Sequence, residues 1–377
     1  MRIPLSALCL AFVFSSSSLT HAAEPASQST AAIRASDFHQ SQIYHAPETP
    51  GYTSWCTLWR DDDDSLRLAF QQVTGPKENP AARKNVTVLM ASDDAGKSWK
   101  TLREVPARAG VLDQHGIYAA PASSSFCGHG MARLPNGTLV TGLWSLAENQ
   151  SGYVQRSTDD GKTWGNPIYL LDPADYRAYP TQVRRLHDGR LMIVAGVVRQ
   201  ADHKTQRYLT KMFFQSKDDG KTWTSIWTMP PEVGACEESD FAELPNGDLL
   251  VVHRAEHYTG AKYANSTRLQ NLFHPRPDGS WEIGPVTQCP FPHSGFPRLL
   301  ATREGPILHI ATNGVHATTD AGQHWTKLDL PGSPYYPEAE QLKDGTVLVV
   351  GHVGSDNIYG TVDQSIIRQT FRLTSQK

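Results

Sequence analysis

The chain has 377 residues, 39% hydrophobic and 9% aromatic, enough apolar material for a large core, which excludes general disorder. Lys plus Arg (35) against Asp plus Glu (38) leave a formal charge of −3, and with no long basic run nucleic acid is excluded as the main partner. Gly (29) and Pro (25) favour many turns over long helices.

Met1 to Ala23 reads as a secretory signal. Arg2 supplies the positive start, Leu5 to Phe14 the short apolar stretch, and Thr20-His21-Ala22-Ala23 a small-residue cleavage region. A secreted or periplasmic location is therefore expected. The apolar part is too short to span a bilayer, and no later segment resembles a transmembrane helix. Residues 24–35 read as a flexible leader. Cleavage leaves Cys56, Cys127, Cys236 and Cys289, which can remain buried thiols or form two disulfides in any of three pairings.

Two repeats organise the remainder. Ser/Thr-x-Asp-x-Gly-x-x-Trp occurs at 92–99, 157–164, 216–223 and 318–325, and a degraded copy, Asp278-Gly279-Ser280-Trp281, falls in the widest gap. Asp and Gly build a tight turn, the Asp and hydroxyl side chains hydrogen-bond turn amides, and Trp is expected to pack under the hairpin, so each copy should join two outer strands. In phase with this runs a second series, an extended start, a turn, then a short apolar run. Its copies are 55–70 (Asp64-Ser65), 129–143 (Asn136-Gly137), 179–196 (Asp188-Gly189), 238–254 (Asn246-Gly247), 296–312 (Glu304-Gly305) and 336–353 (Asp344-Gly345). Six hairpins, mostly followed by a turn with Trp, predict an all-β fold over 36–377: a six-bladed β-propeller with four-stranded antiparallel blades. The strand before each Asn/Asp-Gly turn should be innermost. Gln364 to Leu373 should pair near Ser41 to His45 and close the ring.

Three other motifs read as structure. Gly-Lys-Ser/Thr at Gly96, Gly161 and Gly220 lacks the phosphate-loop glycine five residues earlier and has no helix behind it. His253-Arg254-Ala255-Glu256-His257 follows an apolar strand, where residues four apart stand too far apart to chelate one ion. Asp61 to Asp64 reads as a solvated turn rather than a calcium loop. No metal or cofactor is called for.

Inner strands should bring polar residues from separate blades to one mouth: Trp55, His129, Tyr179, Glu238, Asp240, Arg298, Tyr336 and Glu338. Tyrosines, carboxylates and arginines converging on one cavity suit a carbohydrate site. On its repeats, over nearly all of the mature chain, the sequence resembles the secreted sialidases, six-bladed propellers marked by Asp-box repeats. The resemblance implies that Glu238, sixteen residues before Arg254 across Leu244-Pro245-Asn246-Gly247, partners a nucleophile, Tyr336, which starts the last inner strand before Leu342-Lys343-Asp344-Gly345. A carboxylate beside a phenol can take its proton and let it attack an anomeric carbon next to a carboxylate, where a charged nucleophile would be repelled.

The chain also departs from that family. Trp55-Cys56-Thr57 stands where Arg-Ile-Pro is usual, Glu78 is the only carboxylate between Gln71 and Ala91 where an Asp acid/base is usual, and no arginine lies in 313–317. The leading expectation is an exported sialidase-like glycosidase acting on a terminal acidic sugar of glycans. Tyr336 and Glu238 are its catalytic pair, Arg254, Arg298 and His129 the substrate-binding residues, and Glu78 or Asp240 the acid/base. A uronate-directed lyase or hydrolase and a non-catalytic glycan- or protein-binding propeller are the alternatives.

Overall fold

The computed structural model describes residues 33–375 except 47–50, 62, 77–78, 80–81, 83, 107–129, 144–150, 203–209, 234, 260–261 and 354–364. The first strand, β1 (Ile33–His45), returns below. Blade one holds β2 (Gly51–Arg60), β3 (Leu66–Thr74), β4 (Lys84–Ser92) and β5 (Lys100–Pro106). Blade two holds β6 (Met131–Arg133), β7 (Leu139–Leu143) and β8 (Tyr153–Ser157), with an isolated Val154–Ile168 bridge where the outer strand would lie. In blade three are β9 (Tyr176–Arg185), β10 (Leu191–Arg199), β11 (Thr210–Ser216) and β12 (Thr224–Thr228). Blade four runs β13 (Ala235–Glu243), β14 (Leu249–Thr259) and β15 (Lys262–Pro275), with β16 (Trp281–Ile283) and β17 (Thr287–Gln288) both paired to β15. Blade five is β18 (Arg298–Ala301), β19 (Ile307–Ala311), β20 (Gly314–Thr318) and β21 (Thr326–Lys327). Blade six, β22 (Tyr335–Gln341), β23 (Val347–His352) and β24 (Ser365–Ser375), is completed by β1.

The chain is thus a six-bladed antiparallel β-propeller. The first strand of each blade packs beside that of the next, and β22 beside β2 shuts the inner ring. The β1–β24 pairing runs from Ile33↔Ser375 to His45↔Ser365, far longer than the expected segment. It also absorbs Ile33, Arg34 and Ala35, which the sequence assigned to the leader. Closure removes the sheet edges that six separate blades would leave exposed.

The repeated turns behave as local chemistry dictates. Ser92 Oγ donates to Asp94 at 2.8 Å and accepts from the Gly96 amide at 2.8 Å, while the Ser98 amide donates to Asp94 at 2.8 Å. The same bonds recur around Asp159, Asp218 and Asp320. Gly96, Gly161, Gly220 and Gly322 take φ between 72° and 86°, each preceded by a second left-handed residue, which only a tight turn requires. Trp99 and Trp223 bond their own turns, Nε1 donating to the Gly96 and Gly220 carbonyls at 3.0 and 3.1 Å, and the turn tryptophans also join blades. Each reaches into the apolar layer shared with the preceding blade: Trp99 against blade six, Trp164 against blade one, Trp223 against blade two and Trp325 against blade four. Trp281 of the degraded copy does the same against blade three. Six apolar layers, one per neighbouring blade pair, form the core, and the turn Trp is a rivet between blades.

The strand reading of His253 to His257 holds, since both lie on β14. His253 is fully buried, accepting from Ser239 at 2.9 Å and donating to Asn271 at 3.0 Å, and burial pushes its imidazole down to about 3. Asp61 pairs with Arg67 at 2.9 Å and Arg133 at 3.1 Å, and Asp64 pairs with Arg60 and Lys343, so this turn spends its charge on its own blade and on blades two and six. Cys289 is a buried thiol rather than a disulfide half, which rules out two bridges among the four cysteines, and Cys56 is buried as well. Cys127 and the Cys236 side chain lie outside the described residues.

Candidate active site

Among the described residues, four inner strands carry one extra residue against their neighbour. Ser54 to Thr57 faces Gln71 to Ala69, and Pro180 to Val183 faces Ala195 to Ile193. Cys236 to Glu238 faces Ala255 to Arg254, and Tyr335 to Glu338 faces His352 to Val350. Bulges of this kind turn a side chain out of the pleat, and they gather beside active sites. In blades one and six the bulge holds a bulky residue in the left-handed region, Trp55 at φ 50° and Tyr336 at φ 45°. That conformation costs an ordinary side chain about 1–2 kcal/mol, so the surrounding sheet must enforce it.

The turn at Tyr336 sends its ring from blade six to blade four. Its hydroxyl donates to Glu238 Oε1 at 2.7 Å. The second Glu238 oxygen accepts from Arg254 Nη1 at 2.9 Å, and Arg254 Nη2 pairs with Glu256 at 2.7 Å. Strand geometry explains the cluster: Glu238 and Arg254 are register partners across β13 and β14, and Glu256 lies two residues on, on the same face. Burial opposes the Arg254 charge, but Glu238, Tyr336 and Glu256 outweigh it and hold the guanidinium above its ordinary range. Glu238 and Glu256 are buried at 3% and 4% exposure, whereas Tyr336 is only partly covered. The phenol therefore stands in front and the carboxylates behind it.

The other expected residues are placed differently. Asp240 is fully buried, bound by Arg184 at 2.7 Å and by the amides of Phe241 and Leu299 at 2.8 and 2.7 Å. It is a strut between blades three, four and five and offers no proton to a ligand. Arg298 is equally enclosed, pairing with Glu338 at 2.9 Å and Asp240 at 3.7 Å, and so holds blades four to six together rather than a substrate. Within this network burial pushes the Glu338 carboxyl up to about 7, against the pull of Arg298 and Arg184. Arg254 does reach the site, but it spends both terminal nitrogens on Glu238 and Glu256 instead of waiting as an open clamp. His129 and Glu78 lie outside the described residues.

Three residues that sequence reasoning missed complete the site. Glu256 could have been found, because Arg254 and Glu256 alternate onto one face of β14. His293 and Phe296 sit on the loop before β18, which has no periodicity to betray it. Arg268 donates to the Ser294 and Gly295 carbonyls at 3.0 and 2.9 Å and Asn313 to the Pro292 carbonyl at 2.9 Å, fixing that loop. Phe296 then lies against the Tyr336 ring, centroids 5.9 Å apart, and the opposite edge of the phenol meets His352 at 5.7 Å. His293 is half-buried; burial first, then Arg268 and Arg254, bring its imidazole down to about 4, with Glu238 opposing. The ring is therefore neutral near neutral pH.

This wheel has solved counterparts. A protein of unknown function from Dyadobacter fermentans is 17% identical with a TM-score of 0.64, covering 91% of this chain and 99% of its own. The α-L-arabinanase of Penicillium chrysogenum is 15% identical with a TM-score of 0.61, covering 88% and 97%. An intramolecular trans-sialidase from Ruminococcus gnavus is 12% identical with a TM-score of 0.56, covering 89% and 97%. At these identities the likeness is one of fold. No family model matches the chain.

Proposed function

We propose that the protein is an exported glycoside hydrolase that removes a terminal sugar from glycans, with Tyr336 as nucleophile and Glu238 as the base that takes its proton. One observation carries this reading: the 2.7 Å bond from the Tyr336 hydroxyl to a carboxylate that is itself buried behind it. The neighbours' own activities, arabinanase and trans-sialidase, agree with glycoside chemistry on this fold.

In the step proposed, the phenol oxygen forms a bond to the anomeric carbon as the phenol proton passes to Glu238, the glycosidic C–O bond breaks, and solvent water protonates the leaving oxygen. Water then attacks the same carbon and gives its proton to the solvent hydroxide left by that transfer, the bond to the phenol oxygen breaks, and Glu238 returns its proton to the phenolate. Arg254, paired with Glu238 at 2.9 Å, positions its carboxylate. Because Arg254 sits between Glu238 and Glu256, those two carboxylates cannot flank a sugar as an acid/nucleophile pair.

The finer substrate is a terminal acidic sugar, which is where a neutral phenol outperforms a carboxylate nucleophile. A neutral terminal sugar is the second reading, favoured by the engagement of Arg254 and Arg298 with protein carboxylates. Aryl glycosides, whose phenolate leaves unaided, separate the two. Purified protein should cleave aryl sialosides or uronides on the first reading and aryl arabinofuranosides on the second. Tyr336→Phe should lower turnover by about 10³-fold or more with the fold intact. Cleavage of all of them by Tyr336→Phe at the wild-type rate would remove the phenol from the reaction.

A further inference from the structure

Trp55 is the one other residue of an inner strand that shares the backbone of Tyr336 among the described residues. Both stand second in a one-residue bulge, after Ser54 and Tyr335, and both end it two residues on, at Thr57 and Glu338. Their φ values, 50° and 45°, differ by less than ordinary scatter. The blades that carry them adjoin, since β2 packs beside β22. Equal backbone geometry fixes equal Cα–Cβ directions relative to each blade, and neighbouring blades are related by a rotation about the wheel axis. The Tyr336 ring crosses the mouth to Glu238, so the same conformation one blade on aims the indole into that mouth. The residue beneath it, Cys56, faces the apolar layer between blades six and one and anchors the strand from behind. Thr57 is fully buried on the other side.

A tryptophan at φ 50° carries a backbone strain that a glycine would avoid. We infer that Trp55 is a stacking platform for the sugar that Tyr336 attacks, binding a ring with an apolar C–H face and contributing no charge to it. The assignment rests on the glycosidase reading and narrows it. An indole holds a sugar by contact area and by the polarised C–H bonds against its π face, and it offers a carboxylate nothing. The wall of the site on the blade-one side therefore reads ring shape, not acidity.

The test separates this from the hydrolase reading by measuring binding and turnover apart. Binding of arabinobiose and of 3′-sialyllactose is measured by saturation-transfer NMR and calorimetry on the Tyr336→Phe protein, which binds without turnover. Trp55→Ala and Trp55→Leu are added in that background, with Trp55→Phe as the conservative variant. Whichever sugar binds should lose roughly ten- to a hundredfold in affinity with Ala and with Leu and keep most of it with Phe, because stacking needs the ring and not merely the bulk. In the active protein the same changes should raise KM more than they lower kcat. Trp55→Arg should not restore affinity for 3′-sialyllactose. Unchanged affinity in folded Trp55→Ala and Trp55→Leu overturns the platform and leaves the hydrolase standing. Trp55-dependent binding with no cleavage of any aryl glycoside sinks the hydrolase and keeps the platform. No binding of either sugar to the Tyr336→Phe protein overturns the platform as stated.

Discussion

The two faces of the wheel are built on opposite rules. On the face that carries the hairpin and Asp turns, the bonds inside each Asp turn span four residues or fewer and recur from turn to turn, as around Asp94 and Asp159, whose carboxyls the Ser98 and Thr163 donors hold down at about 2. On the mouth face the blades differ. Bulges interrupt the ladders, Trp55 and Tyr336 sit in a strained conformation, and the decisive contact joins residues 98 positions apart. Redundancy protects the first face. The second concentrates its chemistry in single side chains, so one substitution can abolish function without touching the fold.

Substitutions can break that contrast, and the largest effect should come at the mouth. Glu238→Gln removes the proton acceptor and should cut turnover on an aryl glycoside by about 10²–10⁴-fold while the thermal midpoint moves by only a few degrees. A drop in turnover matched by unfolding would mean that the face is structural. Just beneath the mouth the balance reverses. Asp240→Asn leaves Arg184 and Arg298 without their shared carboxylate and should cost about 3–5 kcal/mol in urea unfolding, with turnover per folded molecule largely retained.

Glu338 sharpens the comparison through pH. Its carboxyl is raised from 4.5 to about 7 in the folded protein, so the folded state keeps a proton that the unfolded chain has lost between those values. Stability should therefore fall as pH rises from about 4.5 to 7, by on the order of 1–3 kcal/mol, and Glu338→Gln should flatten that slope in unfolding titrations. A slope unchanged in the variant would assign it elsewhere. The smallest effects belong to the turn face. Asp218→Ala should lower the thermal midpoint by a few degrees at most, and combining it with Asp320→Ala should add, because the two turns lie on different blades. Losses much larger than additive would show that the turns act as one unit.

Much of the site was within reach of the sequence, although unevenly. Tyr336 and Glu238 were brought to one mouth because strand period and hairpin register carry residues to the start of an inner strand, arithmetic that is local to each blade, whereas Arg254 and the pairing of the three came from the resemblance to the secreted sialidases. Arg298 and Asp240 obeyed the same arithmetic and failed, because depth in the channel depends on which neighbours arrive from other blades. Arg184, Gln182 and Glu338 supply the partners that close over them. His293 and Phe296 gave no signal at all, since a loop without period is positioned by what grips it, here Arg268 and Asn313.

The amino-acid order alone settled the number of blades and the hairpin positions, because both follow from turn chemistry and alternation within about twenty residues. Only the folded wheel decided which arginines are engaged, which carboxylates are buried, and that Trp55 and Tyr336 share a strained bulge. Those outcomes depend on contacts between blades, and a contact energy between distant segments exists only once the backbone has brought them together.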